Sequence, residues 1–247
     1  MDRWQGKVAI VTGASSGIGA AIAEKLVEAG IIVAGIARRE YRVKELAEKL
    51  KGQSGQLHAF QTDIRKEDQV IRTFELIKRN LGPVHILVNN AGVIRDTSLF
   101  DGVTELWQEV LETNVLGLCV ATREAIRSMR ENKVDGHIVH INSILGHKVA
   151  DFKNFNVYTA SKHGVTALAE ILRKELIAME SKIKISSVSP GIVETELPKC
   201  SKAFTELFNR VPRLQSEDVA EAVMYVLGTP PHVQVAELIV KANGETY

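Results

Sequence analysis

The sequence predicts an α/β chain built as one doubly wound parallel sheet with helices on both faces. Two observations predict it. Seven short runs rich in Val, Ile and Leu recur at residues 7–12, 31–37, 56–61, 84–89, 136–142, 183–188 and 235–240. Most are nearly continuous in apolar residues rather than alternating, which is how strands covered on both faces read. Between them lie longer segments of helical period at 18–29, 41–50, 67–80, 104–132, 156–181 and 216–227. This βαβ alternation calls for parallel strands joined by right-handed crossovers.

The elements follow from local chemistry. The first helix is rich in Ala, Ile and Leu, and the third carries Ile71, Phe74 and Ile77 on one face. Ser216-Glu217-Asp218-Val219 has the look of a helix start, with Ser216 as the capping hydroxyl and acids in the first turn. Residues 196–215 break the rhythm, and a helical insertion acting as a substrate lid is expected there. No segment has the composition of a linker, so residues 1–247 are expected to form a single domain.

Composition narrows the function. The 247 residues are 45% hydrophobic and 25% charged, ordinary values for a globular chain. A net charge of +1 gives no bulk attraction to nucleic acid or an anionic membrane. Cys119 and Cys200 are too few for a disulfide framework and fit a reducing compartment. The N-terminus lacks the pattern of a signal peptide, and no apolar run approaches the ~18 residues of a membrane-spanning helix. A soluble, cytoplasmic protein is the expectation. The seven histidines show no metal-ligand spacing, so no metal is expected, and His147 reads as an ordinary loop histidine.

The strongest local signal follows the first strand, where Gly13-Ala14-Ser15-Ser16-Gly17-Ile18-Gly19 leads into a helix. Glycines there let the chain turn tightly and let a pyrophosphate approach the backbone, and the helix N-terminus offers free N–H groups. The spacing Gly-x-x-x-Gly-x-Gly preceded by Thr12, followed by Asn89-Asn90-Ala91-Gly92, Tyr158-Thr159-Ala160-Ser161-Lys162 and Pro190-Gly191, resembles the ordered motifs of the short-chain dehydrogenase/reductase family over essentially the whole chain. The resemblance implies a Rossmann-type seven-stranded fold and an oxidoreductase acting on alcohols or carbonyls.

Cofactor choice is read at the end of the second strand. NAD-preferring chains of this type carry an acid there for the ribose 2′-hydroxyl. Here Ala37 stands about where that acid would be, and Arg38 and Arg39 follow. A guanidinium can grip a phosphate bidentately, and hydrogen bonds to charged groups are worth about 1.5–3 kcal/mol. NADP is therefore expected, with Arg38 first, Arg39 assisting, and Ser15 or Ser16 within reach. By resemblance, Gly13, Ser15, Ser16, Gly17, Ile18 and Gly19 hold the diphosphate, and Asp63 with the backbone of Ile64 meets the adenine. Taken by itself, Asp63 could equally cap the helix after it. Asn90, Ala91 and Gly92 pass near the cofactor, Pro190 and Gly191 line it, and Val193 and Thr195 meet the nicotinamide carboxamide.

Tyr158 and Lys162 lie four residues apart at a helix start, so they share a face. Carbonyl reduction needs a proton donor and alcohol oxidation needs a base. A free tyrosine titrates near ~10, too high for a base at neutral pH, and an adjacent ammonium can lower it. Ser143, just past the fifth strand, offers a hydroxyl to the substrate oxygen; it would also serve as a strand-end cap. The resemblance adds Asn114 as holder of a proton-relaying water and Lys162 as a ligand of the nicotinamide ribose.

The cleft should be lined by Val93, Ile94, Ile144, Leu145, Phe152, Phe155 and residues 197–208, a mostly apolar set suited to a small hydrophobic alcohol or carbonyl. Stretches 189–195 and 218–227 resemble farnesol-dehydrogenase-type and carbonyl or ketosteroid reductase groups within the family. They imply terpenoid alcohols such as farnesol, with steroids or small dicarbonyls as alternatives. A non-catalytic NADP-binding scaffold would usually have lost Tyr158 or Lys162, and both are present. Family members commonly pair through helices corresponding to 104–132 and 156–181, so a homodimer or homotetramer is expected, with Ala160, Gly164, Ala167 and Ala169 permitting close approach.

Overall fold

A computed structural model describes residues 1–149, 154–196, 208 and 211–246. Its centre is a seven-stranded sheet in the order β3-β2-β1-β4-β5-β6-β7. The strands are β1 (Val8–Thr12), β2 (Ile32–Ala37), β3 (Gln56–Gln61), β4 (Val84–Asn89), β5 (His137–Ile141), β6 (Lys184–Pro190) and β7 (Glu237–Val240). Every neighbouring pair is parallel. The order reverses between β1 and β4, and this switch point leaves a crevice at the carboxyl ends of those two strands.

Side-chain alternation divides the core in two. Ala9 and Val11 of β1 face one layer, with Ile22 and Leu26 of α1 (Gly17–Glu28) and Val223 and Val226 of α7 (Ser216–Gly228). Val8 and Ile10 face the other, with Phe74 and Ile77 of α3 (Glu67–Leu81), Met129 of α5 (Leu118–Glu131) and Leu172 and Leu176 of α6 (Asn156–Ala178). β2 and β3 are bridged by α2 (Glu40–Lys49). Burial on both faces explains why the strands read as unbroken apolar runs.

Two expectations are corrected. The segment 104–132 is not one regular α-helix: α4 (Thr104–Leu111) passes through a π-helical segment (Glu112–Gly117) into α5. A π segment inserts a residue into the turn, and Asn114 sits inside it. The last helix is capped by Gln215, not Ser216. The Gln215 side chain and Asp218 form a reciprocal capping box, and the extended backbone of Gln215 makes it the entry residue. Ser216 is already helical, with its hydroxyl turned back to the Glu194 carbonyl. The remaining boundaries differ from the sequence reading by one to three residues, the largest at the end of α6, which stops at Ala178. No helix among the described residues is long and apolar enough to cross a membrane.

β5 carries two histidines inside the sheet. The His137 ring lies 2.9 Å from the Ser186 hydroxyl and that of His140 3.4 Å from Thr122. Burial pushes both down to about 3, with the nearby Lys184 and Lys162 charges adding to the effect respectively. Unfolded histidine binds its proton near ~6.5, so the unfolded chain holds more protons than the folded one between that pH and 3, and stability falls as pH falls. The denaturant midpoint is expected to drop between about pH 6.5 and 5, above the range of ordinary carboxylates, and His137→Gln should flatten the drop. A midpoint unchanged across that interval would contradict neutral buried rings.

Candidate active site

The crevice at the switch point is a cleft of roughly 520 Å³. Its floor is set by Thr12 at the end of β1. The Thr12 hydroxyl accepts from the backbone N–H groups of Asn90 and Ala91, each at 3.0 Å, and so ties the end of β1 to the chain leaving β4. The Asn90 amide donates to the Thr12 and Gly13 carbonyls at 2.9 and 3.3 Å. Gly13 and Gly17 hold φ of +70° and +53°, which side chains resist. A Cβ on Gly19 would lie 2.4 Å from the Gly13 carbonyl oxygen and 2.3 Å from the Asn90 amide. The loop is therefore closed by the absence of side chains, leaving bare backbone at the N-terminus of α1, a cradle that fits a pyrophosphate.

At one end of the cleft lie the arginines. Arg38 and Arg39 both line it. Arg39 is the one that reaches the glycine loop, donating to the Ser16 and Ser15 hydroxyls at 2.9 and 3.4 Å. Two further charges that the sequence reading passed over meet it: Glu196 accepts from Arg39 at 3.1 Å and from Arg42 at 2.7 Å. Arg42 lies one helical turn beyond Arg39, a spacing visible in the sequence, but Glu196 is remote in the chain and gives no such signal.

Asp63 and Ile64 line the adjoining wall. Asp63 does not cap α3, whose N-cap is Lys66. Its carboxylate is gripped by the Arg65 guanidinium, with the shortest contact 2.6 Å, and this holds it below the usual carboxylate range. Arg65 also approaches Glu109 at 3.5 Å, and Arg95 binds Glu109 at 2.6 and 2.7 Å. This ladder along the wall was not expected from sequence.

Ser143, Tyr158 and Lys162 converge on the middle of the cleft. Ser143 follows β5 and caps a short 3₁₀ turn (Ile144–Gly146), its oxygen accepting from the Leu145 N–H at 3.1 Å. The capping role is thus present, and accepting that bond leaves the hydroxyl proton free to donate. Tyr158, on the first turn of α6, packs edge-on against Phe155 with ring centroids 6.1 Å apart. Lys162, one turn on, places its ammonium 5.8 Å from the Tyr158 ring centre and donates to the Ile141 carbonyl at 2.8 Å. Burial lowers Lys162 to about 8, which leaves it cationic at neutral pH.

Asn114 and Gly19 stand behind the cleft wall rather than on it. The Asn114 side chain accepts from the Val93 N–H at 2.8 Å and donates to the Val93 carbonyl and the Ser161 hydroxyl at 3.0 and 3.1 Å. Its amide thus staples the chain after β4 to α6. Pro190, Gly191, Val193 and Thr195 line the far end, with Gly17 close to the Thr195 methyl. The apolar part is formed by Val93, Ile94, Ile144, Leu145, Phe155 and Phe208. Phe152 and residues 197–207, 209 and 210 of the expected lid lie outside the described residues. His147 faces away, bound to Ser189 and Glu237 at 3.0 and 3.3 Å. Among the described residues no cluster of side chains could hold a metal ion.

The family profile described as short chain dehydrogenase matches residues 7–205. The chain belongs to the short-chain dehydrogenase family. It is similar to a farnesol dehydrogenase of Aedes aegypti, 49% identical with the full length of both chains covered. A dehydrogenase/reductase SDR family member 11 of Bos taurus is 43% identical over 96% of each chain. Among solved structures, an alcohol dehydrogenase of Thermococcus sibiricus complexed with 5-hydroxy-NADP superimposes with a TM-score of 0.86 at 25% identity, covering 98% of each chain. The chain is thus an oxidoreductase of the short-chain dehydrogenase type, with the family's Rossmann-like fold.

Because a Cβ at Gly19 would collide with backbone, Gly19→Val should reopen the loop. The expected outcome is loss of dinucleotide binding by at least tenfold in a fluorescence titration, together with a lower melting temperature. Unaltered binding would contradict the close-packed cradle.

Proposed function

We propose that this protein is an NADP-dependent oxidoreductase that interconverts a hydrophobic alcohol, a terpenoid such as farnesol, and its aldehyde or ketone. The observation that carries the reading is the buried Lys162 ammonium beside Tyr158, in the same cleft as the glycine cradle and the arginines. When bound, the nicotinamide supplies or accepts the hydride. Gly13, Ser15, Ser16, Gly17 and Ile18 would hold the diphosphate, with Gly19 acting from behind by letting the loop close, and Arg39 with Arg38 the 2′-phosphate. Asp63 and Ile64 would meet the adenine, Asn90, Ala91 and Gly92 the central section, and Pro190, Gly191, Val193 and Thr195 the nicotinamide. The cradle and the cationic end fit that molecule in shape and sign.

The chain's own residues handle the proton. Tyr158 takes it from the alcohol oxygen, or returns it to the carbonyl oxygen. A cation about 5–6 Å away at an effective dielectric of about 20 favours the phenolate by about 3 kcal/mol, roughly a hundredfold in proton affinity. Ser143 donates its hydroxyl to the substrate oxygen and stabilises the charge that develops there. Asn114 fixes the start of α6 through Ser161, and with it Tyr158; its two amide N–H groups are already donated. A relay water at Asn114 would find the main chain or the second lone pair of the side-chain oxygen. The apolar wall takes the hydrocarbon body of the substrate, and the Aedes aegypti relative's name is consistent with an isoprenoid there.

Oligomerisation through α4–α5 and α6 is supported by a groove of roughly 740 Å³ between α5 and α6, and by exposed Leu111, Leu116 and Ile171 on these elements. Light-scattering mass should give a dimer or tetramer; a monomer would contradict this. Reduced-nicotinamide absorbance with farnesol should rise faster with NADP than with NAD. Tyr158→Phe should lower turnover by about 10²–10⁴-fold while NADP still binds. Full activity in that variant would refute Tyr158 as the proton-transfer residue, and turnover of steroids or dicarbonyls but not farnesol would relocate the substrate class.

A further inference from the structure

The cationic end of the cleft already contains an anion. The Glu196 carboxylate accepts from Arg42 at 2.7 and 3.0 Å and from Arg39 at 3.1 Å. The same Arg39 guanidinium uses its other nitrogen on the Ser16 and Ser15 hydroxyls of the glycine loop. One terminal nitrogen from each of two guanidiniums thus holds one small oxyanion, and the two loop hydroxyls accept from the second nitrogen of Arg39. This is the donor set that a phosphate monoester would recruit, with three acceptor oxygens in place of two. Neighbouring acids do not compete, since Glu40 is paired with Lys44 and Asp63 with Arg65. Arg42, with Arg39 adding less, holds the Glu196 carboxyl below the ordinary carboxylate range, so the occupant stays charged.

Building on the NADP reading above, we infer that Glu196 and Arg42 are specificity-determining residues: Glu196 is an internal occupant of the 2′-phosphate pocket, and Arg42 is a phosphate ligand that the occupant masks. A phosphorylated ribose must displace the carboxylate from both arginines. A ribose with a free 2′-hydroxyl can bind with the carboxylate in place. The fraction of protein whose pocket is masked lowers the apparent affinity for the phosphorylated ligand alone. Glu196 therefore moderates the preference for NADP over NAD, and Arg38 and Arg39 set it only in part.

The magnitude follows from exposure. Glu196 and both arginines are a third to a half exposed, so the masking contacts are surface ion pairs, and releasing them is expected to change affinity by about two- to fivefold at moderate salt. Screening should shrink the change as salt rises.

The test titrates adenosine 2′,5′-bisphosphate and adenosine 5′-monophosphate into the full chain by calorimetry. Glu196→Gln and Glu196→Ala should each tighten the bisphosphate two- to fivefold and leave the monophosphate unchanged or weaker. Arg42→Gln, made in the Glu196→Gln background, should weaken the bisphosphate and spare the monophosphate. A bisphosphate affinity unchanged in both Glu196 variants, or an equal shift for both ligands, overturns the inference while a wild-type preference for the bisphosphate keeps the NADP reading. A wild type that binds the two ligands equally overturns that reading and the inference together. An unchanged bisphosphate affinity in the double variant removes Arg42 from the pocket.

Discussion

Lys162 is an ammonium kept where water barely reaches, and the arrangement of the site depends on keeping it there. Removing a charge from water is costly unless polar partners replace the lost hydration. Here the Ile141 carbonyl at the end of β5 provides one such partner at 2.8 Å. The cost shows as a basicity lowered to about 8. That value is still above neutrality, so the cation survives where its field is strongest. A less buried lysine would be more basic but better screened. The distance to the Tyr158 ring follows from one helical turn, which puts both side chains on the same face of α6.

The fold holds this pair against the glycine loop. The sheet reverses its order between β1 and β4, and Thr12 bonds the two chain exits together through Asn90 and Ala91. The glycine loop then closes on backbone because no Cβ intervenes at Gly19. From the other side, Asn114 binds Val93 and Ser161 and so couples the exit of β4 to the start of α6. The glycine loop and the Tyr158–Lys162 pair are thus positioned by the same few hydrogen bonds. The Asp63–Arg65–Glu109–Arg95 ladder extends that rigidity along the outer wall.

Much of this was legible in the sequence, for physical reasons. Strands buried on both faces must be apolar throughout, so their positions could be read almost to the residue. The glycine loop and the Tyr158–Lys162 pair are local motifs, and their placement after β1 and after β5 follows from chain order. What could not be read were consequences of three-dimensional proximity. A π turn around Asn114 leaves the helical period of 104–132 nearly intact, so the sequence pattern carried no clear sign of it. The cap at Gln215 was misplaced by one residue because Ser216 is the better capping residue by propensity, while the Asp218 carboxylate selected the residue before it. Asp63 offered two roles, and only the position of Lys66 as the cap of α3 removed one of them. The meeting of Glu196 with Arg39 and Arg42 joins chain segments that no local pattern connects.

The central claim is that the buried Lys162 cation acts on the Tyr158 phenol. It is tested most directly by following the carbon resonance of selectively labelled Tyr158 as pH is raised, in the wild type and in Lys162→Met. The phenol of the wild type should titrate well below the ordinary value near ~10, and the substitution should move it back up by at least one pH unit. Superimposable titrations in the two proteins would show that the lysine does not tune the tyrosine, and the proposed division of labour in the cleft would fail.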